Sequence, residues 1–213
     1  MRGLCLLLFW GISGMAVAAD GLQAVLDRHV RTDVAYWLEE PRLTALLRET
    51  SRRNAGLDEA ALGSLDARWQ AELAGEGGEL SDYVASRFAS NYLAEVALRL
   101  DGAYGPLLLL DTRGLVTAAS ELPERMLFTG DRCMTMLASR ADAAWVQDRR
   151  PVTGAYTRVA LPVRDTDGTR IGTLLFDVDV SRLPAGRLAG DDTRRRDDSA
   201  LSSSITRDNE VVR

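Results

Sequence analysis

The strongest constraint on the fold of this chain is a pair of turn signatures, each lying between two apolar runs. Asp111 and Gly114 bracket the first turn, and Asp165 and Gly168 bracket the second. Aspartate offers side-chain hydrogen bonds to a reversing backbone, and glycine adopts the positive φ that such a reversal requires. Each signature therefore predicts a β-hairpin, and residues 105–180 together predict an antiparallel sheet of four or five strands.

The region ahead of the predicted sheet has the periodicity of helices. Apolar residues recur there at three- and four-residue spacing, which is typical of helices that cover a core with one face. Glu40 precedes Pro41, and glycines at 75, 77 and 78 interrupt the pattern again, so several helices are predicted. One apolar repeat, from Val84 to Leu100 in steps of four residues, predicts a helix lying on one face of the sheet. The fold class is thus predicted as α+β, with long N-terminal helices packed on an antiparallel sheet.

Two features of the composition narrow the chemistry. The chain of 213 residues contains no lysine, so all 26 basic residues are arginine. Schiff-base chemistry, lysine general bases and a phosphate-loop lysine are thereby excluded. His29 is the single histidine, and on an apolar helical stripe we expect it to be a packed residue and not a metal ligand. We therefore expect a protein that is not an enzyme and uses no metal or other cofactor.

Charge distribution bears on the class of partner. The formal net charge is −5, and outside a short arginine run at 194–196 no basic cluster is present. Neutralising the phosphates of a nucleic acid requires clustered positive charge. Nucleic acid is therefore not an expected partner.

The two ends of the chain have compositions unlike that of the middle. Residues 1–19 combine an early arginine, an apolar run and a small-x-small motif at 16–18, which predicts a cleaved secretory signal peptide. The alternative is an uncleaved membrane anchor. Residues 184–213 have few large apolar side chains and mixed charges, so a disordered tail is predicted after a single domain at 20–183. No second apolar segment follows the sheet, so if the domain senses a ligand outside the membrane, it would act through a membrane partner such as a histidine kinase or cyclase.

Alternation along the last two strands brings polar side chains to one face. If the turn at 165–168 sets the register, Tyr156 and Arg158 lie near Asp177 on the neighbouring strand. Arginine grips carboxylate ligands bidentately, and aspartate binds an ammonium group. The alternative interpretation is a cross-strand ion pair between Arg158 and Asp177 on a solvated face. The residues alone leave both interpretations open.

The segment between the hairpins predicts a loop followed by a short helix. Phe128 leads into Gly130 and Asp131, and Asp131 is a natural N-cap for the helix that follows. The methionines around this helix indicate adaptable packing over the sheet. Cys133 has no base partner in sight, so we expect a buried and unreactive thiol. Phe128 and Asp131 complete the candidate ligand-binding residues.

The order of these elements resembles that of the extracytoplasmic Cache (PDC) sensor domains, which are PAS-like ligand-binding modules of bacterial receptors. The likeness covers roughly residues 30–183 and is greatest to the stand-alone periplasmic members. It rests on short motifs in a fixed order: Arg-Asn-Ala-Gly-Leu at 53–57, Leu-Asp-Ala-Arg-Trp at 65–69, Asp-Thr-Arg-Gly-Leu at 111–115, Gly-Asp at 130–131 and Ile-Gly-Thr at 171–173. The resemblance implies sensing without catalysis, of a small metabolite in the amino acid or carboxylate class. It also implies binding on the sheet face under the loop and helix, and a homodimer formed through the N-terminal helix.

The chain departs from that pattern in the loop. Residues 124–132 keep Gly130 and Asp131 but lack the upstream aspartate and tryptophan of such relatives, and Arg132 stands where an acidic residue is usual. Ligand identity is therefore not carried over from the resemblance. The leading interpretation is a periplasmic sensor-like domain, and the alternative is a protein-interaction or scaffold module that retains the fold and has lost the pocket.

Overall fold

The computed structural model describes residues 21, 23–99, 102–140, 143–151 and 156–183, with the backbone alone for 149–151. The chain divides into two compact units, Met1–Arg182 and Leu183–Arg213. The helices and strands described below lie in the first unit. The predicted signal peptide at 1–19 and the predicted tail at 184–213 lie outside the described residues.

The described elements confirm the predicted α+β class, with helices first and an antiparallel sheet after them. The helices are α1 (residues 23–37, with a π-helical segment at Val30–Val34 and an α-helical turn at Ala35–Trp37), α2 (Pro41–Asn54), α3 (Glu59–Ala74), α4 (Glu79–Ala85), α5 (Phe88–Leu98) and α6 (Arg132–Ser139). The strands are β1 (Tyr104–Leu110), β2 (Val116–Ala119), β3 (Val146–Pro151), β4 (Thr157–Arg164) and β5 (Arg170–Val178), followed by a 3-10 turn at Val180–Arg182.

The helix boundaries follow from local chemistry. Glu40 has an extended backbone and its side chain accepts a hydrogen bond from the amide of Arg42, while Pro41 occupies the first position of α2, where its missing N–H costs nothing. Asp58 caps α3 in the same way, by accepting from the amide of Ala61. The predicted break before proline is therefore confirmed.

The single helix predicted to carry the repeat from Val84 to Leu100 is in fact two helices. Helix α4 ends at Ala85 and α5 begins at Phe88, with Arg87 between them in an extended conformation. The chain turns there, so Val84 and Val96 are buried while Phe88 is 42% exposed. A regular four-residue repeat does not reveal such a turn, because neither proline nor glycine marks it.

The sheet has five strands in the order β2-β1-β5-β4-β3, and every pairing is antiparallel. Both predicted turns are present, with Gly114 and Gly168 at φ 78° and 84°, in the left-handed region that glycine tolerates. The carboxylate of Asp111 accepts hydrogen bonds from the amides of Arg113 and Leu115, which is the local bonding that the turn signature predicts.

The two faces of the sheet are both buried. On one face Leu108, Ala160 and Leu175 pack with Trp69 of α3 and Leu137 of α6 in one hydrophobic cluster. Alternation directs the neighbouring side chains to the opposite face, where α1 and α2 lie.

Contacts on that second face come from both helices. The ring of Tyr104 lies with its centroid 5.7 Å from that of Phe176 and 5.5 Å from that of Trp37 in α1. Helix α2 is joined to the sheet by the Ser51 hydroxyl, which donates to the carbonyl of Ile171. The sheet is thus enclosed between an N-terminal helical layer and a layer made of α3, α6 and the loop at 121–131.

Candidate functional site

A cavity of about 540 Å³ lies on the sheet face that α6 and the loop at 121–131 cover. Its floor comes from β1, β4 and β5, and its far wall from the loop. The apolar lining residues include Pro106, Leu108, Leu122, Pro123, Phe128 and Leu175, and the charged ones are Glu124, Arg125, Arg158 and Asp177. A volume of this size falls within the roughly 300–1,000 Å³ of small-molecule sites.

Arg158 lies at the base of the cavity and is held by two carboxylates. Its Nε and Nη2 donate to Oδ1 and Oδ2 of Asp177 at 2.7 and 2.8 Å, and its Nη1 donates to Oδ2 of Asp131 at 2.8 Å. Arg158 and Asp177 are directly opposite each other on β4 and β5, as the predicted register requires. The bond to Asp177, together with that to Asp131, raises the pKa of the guanidinium.

The two carboxylate oxygens of Asp131 make separate interactions. Its Oδ1 accepts from the amide of Cys133 at 2.8 Å and so caps α6, as predicted, while its Oδ2 pairs with Arg158. The Nη2 of Arg125 lies 3.5 Å from the same Oδ2. The first turn of α6 is therefore joined to β4 through one carboxylate.

The rim of the cavity carries the charges that remain accessible. The guanidinium of Arg125 lies 4.4 Å from the ring centroid of Phe128, a cation–π arrangement, and its side chain is 42% exposed. Glu124 is the adjacent residue and lines the same cavity. The charged side chains on the rim are therefore one cation, Arg125, which also lies 3.5 Å from Asp131, and one anion, Glu124.

The loop that forms this wall is anchored from α3. Oδ1 of Asp66 accepts from the amides of Met126 and Leu127 at 2.7 and 3.0 Å, and the indole N–H of Trp69 donates to the carbonyl of Pro123 at 2.8 Å. The amide of Phe128 donates to the carbonyl of Gly114 at 2.9 Å, next to the first hairpin turn. These bonds fix the loop relative to the sheet.

Cys133, in the first turn of α6, is buried, as the sequence predicts. Its thiol donates to the carbonyl of Arg158 at 3.4 Å, and burial raises its pKa to about 12. At neutral pH the group is therefore a protonated thiol without the nucleophilic character of a thiolate.

The structure brings together four of the five predicted site residues. Phe128, Arg158 and Asp177 line the cavity, and Asp131 contacts Arg158 from behind. Tyr156 is the exception, because its hydroxyl donates to the carbonyl of Gly102 at 2.8 Å and it is not among the lining residues.

Three residues that position or border the site were not predicted as site residues. Glu124 and Arg125 were noted only as departures from a family pattern, and Asp66 only as part of a short motif. A signal for Arg125 exists in its three-residue spacing from Phe128, but nothing local indicates that Asp66 holds a loop some sixty residues away.

The single histidine lies on the other side of the sheet. His29 is 2% exposed, its Nδ1 lies 2.6 Å from Oδ2 of Asp33, and its Nε2 contacts the hydroxyl of Tyr104. Burial lowers its pKa, although the bond to Asp33 acts in the opposite direction. It is a packed histidine, as predicted. Among the described residues, no group of three or more His, Cys, Asp or Glu side chains is arranged to hold a metal ion.

In the part of the chain that the structure describes, no helix has the length and apolar character needed to cross a membrane.

Comparison with known proteins gives no family assignment. No protein-family model matches the sequence. No curated protein matches it. A solved structure similar to it is an extracellular ligand binding receptor from Desulfohalobium retbaense DSM5692, at 16% identity and a TM-score of 0.33. The match covers 66% of this chain and 25% of the receptor, so the chain spans about a quarter of that protein's length.

Proposed function

We propose that this protein is a non-enzymatic extracytoplasmic sensor domain that binds a small metabolite in the cavity between the sheet and the loop at 121–131. The observation that carries the proposal is the cavity itself, which is of about 540 Å³ and lined by apolar side chains with a few charged groups. Such a combination is typical of small-molecule sites, in which apolar walls provide affinity and charged groups provide orientation.

Within the amino acid or carboxylate class, the charged side chains of the cavity favour an amino acid over a simple carboxylate. A simple carboxylate would enter a site where Asp131 and Asp177 already occupy Arg158, so it gains no unpaired guanidinium there. Arg125 and Glu124 on the rim offer one cation and one anion side by side. A zwitterion such as an amino acid matches that pair, with its carboxylate on Arg125 and its ammonium on Glu124. We therefore propose an amino acid or a related amine-bearing metabolite.

The test is a thermal-shift screen of the purified protein against amino acids, simple carboxylates and amines, followed by calorimetric titration. A ligand at a hundred times its dissociation constant adds about 2.7 kcal/mol to stability, which corresponds to a midpoint shift of several degrees. Arg125→Gln removes the rim cation and its 3.5 Å contact with Asp131 while keeping the three hydrogen bonds of Arg158, and we expect it to weaken ligand binding about tenfold or more.

The matched control is Arg48→Gln. Arg48 pairs with Asp165, its Nε donating at 2.7 Å, on an exposed site away from the cavity. Its loss should leave affinity unchanged. A well-folded protein that shows no shift with any compound, or equal affinity in the Arg125 and control variants, would contradict the proposed function.

Signalling would require a membrane partner, and we propose a histidine kinase or cyclase that reads the occupied domain, with a homodimer as the sensing unit. Crosslinking in the periplasm followed by mass spectrometry would identify the partner. If no membrane signalling protein is recovered across repeated experiments, this part of the proposal fails while ligand binding stands.

A second candidate function is a protein-interaction module that retains the fold without a ligand. One observation favours it: Arg158 is fully engaged in a cross-strand ion pair with Asp177 and a further bond to Asp131, as a purely structural network would be. A flat ligand screen combined with specific capture of one partner protein would favour this function over the sensor.

A further inference from the structure

A second cavity, of about 180 Å³, lies among α2, α3, α4 and the start of β2, and it shares no lining residue with the first. Its volume is below the roughly 300–1,000 Å³ of small-molecule sites, and it has room for one apolar side chain. The apolar part of its wall is formed by Leu65, Leu80, Val84, Leu115, Val116 and Met126.

The mouth of this cavity has an excess of positive charge. Arg53 and Arg87 both line it, and none of its lining residues is a carboxylate, although the whole chain carries a net charge of −5. Glu49 pairs with Arg53 across one turn of α2. Arg87 has one long hydrogen bond, of 3.4 Å from Nη1 to the carbonyl of Thr117, which leaves most of its donors uncommitted among the described contacts.

Tyr83 orders the two guanidinium groups at the surface. Its hydroxyl oxygen accepts from Nη1 of Arg53 at 2.9 Å, and the guanidinium carbon of Arg87 lies 3.9 Å from the centroid of its ring. Tyr83 is 45% exposed, so this ordered cluster faces solvent. Side chains that already hold one another lose less conformational entropy when a partner binds, and tyrosine and arginine are the residues that dominate the centres of protein interfaces.

The loop at 121–131 borders both cavities. Arg125 and Phe128 line the first cavity, whereas Met126 lines the second. The amide of Met126 is held by Oδ1 of Asp66, the same oxygen that anchors Leu127. A protein bound over the second cavity therefore contacts the loop that covers the first.

We propose that the second cavity is a docking site for a segment of a partner protein in which an aliphatic residue lies next to an acidic one. The aliphatic side chain enters the apolar cavity. The carboxylate of the acidic residue accepts hydrogen bonds from the guanidinium of Arg87 and from the hydroxyl of Tyr83, whose hydrogen is free because its oxygen accepts from Arg53.

Two observations select this occupant. The positive mouth complements an acidic segment and disfavours a neutral or basic one. The small volume accepts a single side chain, which a protein segment presents while the rest of its contacts lie on the surrounding surface. The proposal rests on the proposed function in one respect only, that this partner is the one that reads the occupied domain. Docking itself requires no ligand in the first cavity.

The test is a display selection of random short peptides on the purified protein, followed by fluorescence polarisation with synthetic copies of the enriched peptides. The copies are acetylated and amidated, so that every carboxylate belongs to a side chain. We expect the enriched peptides to share an Asp or Glu next to a Leu, Ile or Met. Changing the acidic residue to its amide, or the aliphatic residue to alanine, should each weaken binding about tenfold or more.

Two variants of the protein make the test specific. Arg87→Gln should weaken binding about tenfold or more, and in this variant the amide form of the peptide should lose little further affinity, because the two changes remove the same contact. Tyr83→Phe keeps the ring beside Arg87 and should weaken binding about three- to tenfold. Arg48→Gln, which removes an exposed arginine elsewhere on α2, is the matched control and should bind as the parent does.

Methyl NMR locates the bound peptide independently of affinity. The methyl signal of Met126 should shift on titration, whereas that of Met136 in α6, which does not line the cavity, should not. The proposal is overturned if no peptide is enriched, if the enriched peptides lack an acidic residue, if Arg87→Gln binds them as the parent does, or if the Met126 signal stays unchanged at saturation. Metabolite binding in the first cavity is tested separately by the thermal-shift screen, so either proposal can fail alone.

Discussion

Arg158 lines the first cavity, but its guanidinium is bonded to carboxylates of the protein itself. Two carboxylates from different elements converge on its guanidinium, with Asp131 only 7% exposed and Asp177 only 13% exposed. Paired in this way, the three charges link β4, β5 and the start of α6. Removing the cation would leave two partly buried carboxylates close together, and desolvated charge without a partner is costly.

We expect Arg158→Ala to lower the free energy of unfolding by about 2–3 kcal/mol. That is somewhat less than the roughly 3–5 kcal/mol for breaking a fully buried pair, because the Arg158 side chain is itself 21% exposed. Urea unfolding measures the change. The comparison variant is Arg48→Ala, which breaks the exposed pair with Asp165 and should cost less than about 1 kcal/mol. Equal costs for the two variants would contradict the structural importance of the Arg158 network.

The residue-level prediction of the site succeeded where a single strand register decides the contact. Period-2 alternation and the turn at 165–168 suffice to place Arg158 opposite Asp177, and the structure has that pair. By alternation Tyr156 belongs to the same face as Arg158, but it lies before the first residue of β4. Its hydroxyl donates instead to the backbone carbonyl of Gly102. Arg125, Asp66 and the bond from Arg158 to Asp131 depend on how a loop folds back over the sheet, which no local spacing encodes.

Strands β1 and β5 and helix α2 approach one another closely at one glycine, Gly172 of β5. A Cβ built on Gly172 of β5 would lie 2.5 Å from the carbonyl oxygen of Leu110 and 2.7 Å from Cδ2 of Leu47. The first of these atoms belongs to the backbone of the neighbouring strand, so it moves only if the strand pairing is disturbed. The absence of a side chain is thus what lets α2 lie against the sheet at this point.

We expect Gly172→Ala to destabilise the fold by about 1–3 kcal/mol, the usual range for overpacking. Gly63→Ala is the matched control, because Gly63 lies in the interior of α3 with nothing within 4 Å of its built Cβ. That change should stabilise the protein by about 0.5–1 kcal/mol, since alanine is the better helix former. Thermal and urea unfolding check both values. A neutral Gly172 variant would mean that α2 is free to shift away from the sheet.

The boundaries of the elements were predictable where a glycine or a proline determines the backbone conformation. Gly114, Gly168 and Pro41 each mark a turn or a helix start that the structure confirms. The junction between α4 and α5 carries no such residue, and only tertiary packing turns the chain there. That is why the apolar repeat through Phe88 predicted one helix where two exist.

At the scale of the whole molecule, the single histidine links stability to pH. His29 is a residue of α1, and its two ring nitrogens face Asp33 of the same helix and Tyr104 of β1. Burial lowers its pKa below the ordinary value of 6.5, so the unfolded chain binds a proton more readily than the folded one. The stability from neutral His29 is therefore fully present above about pH 6.5 and is lost as the pH falls toward the lower pKa of the folded state.

Urea unfolding at about pH 7.5 and about pH 5.5 tests this link. We expect the parent protein to be less stable at the lower pH. His29→Gln should be less stable at both values but should show a smaller difference between them, because it has no group that titrates in this range. An equal difference in the two proteins would assign the pH dependence to the carboxylates.

The buried thiol of Cys133 allows the rate of local opening to be measured. Cys133 lies in the first turn of α6 and its protonated thiol contacts the backbone of β4, so a thiol reagent reaches it only when α6 separates from the sheet. The rate of modification at neutral pH then reports how often α6 separates from the sheet, and peptide mapping identifies the labelled cysteine. A ligand whose binding holds α6 against the sheet should slow the reaction by the factor by which it stabilises the closed state. Labelling at the same rate with and without a saturating ligand would show that binding and opening are separate events.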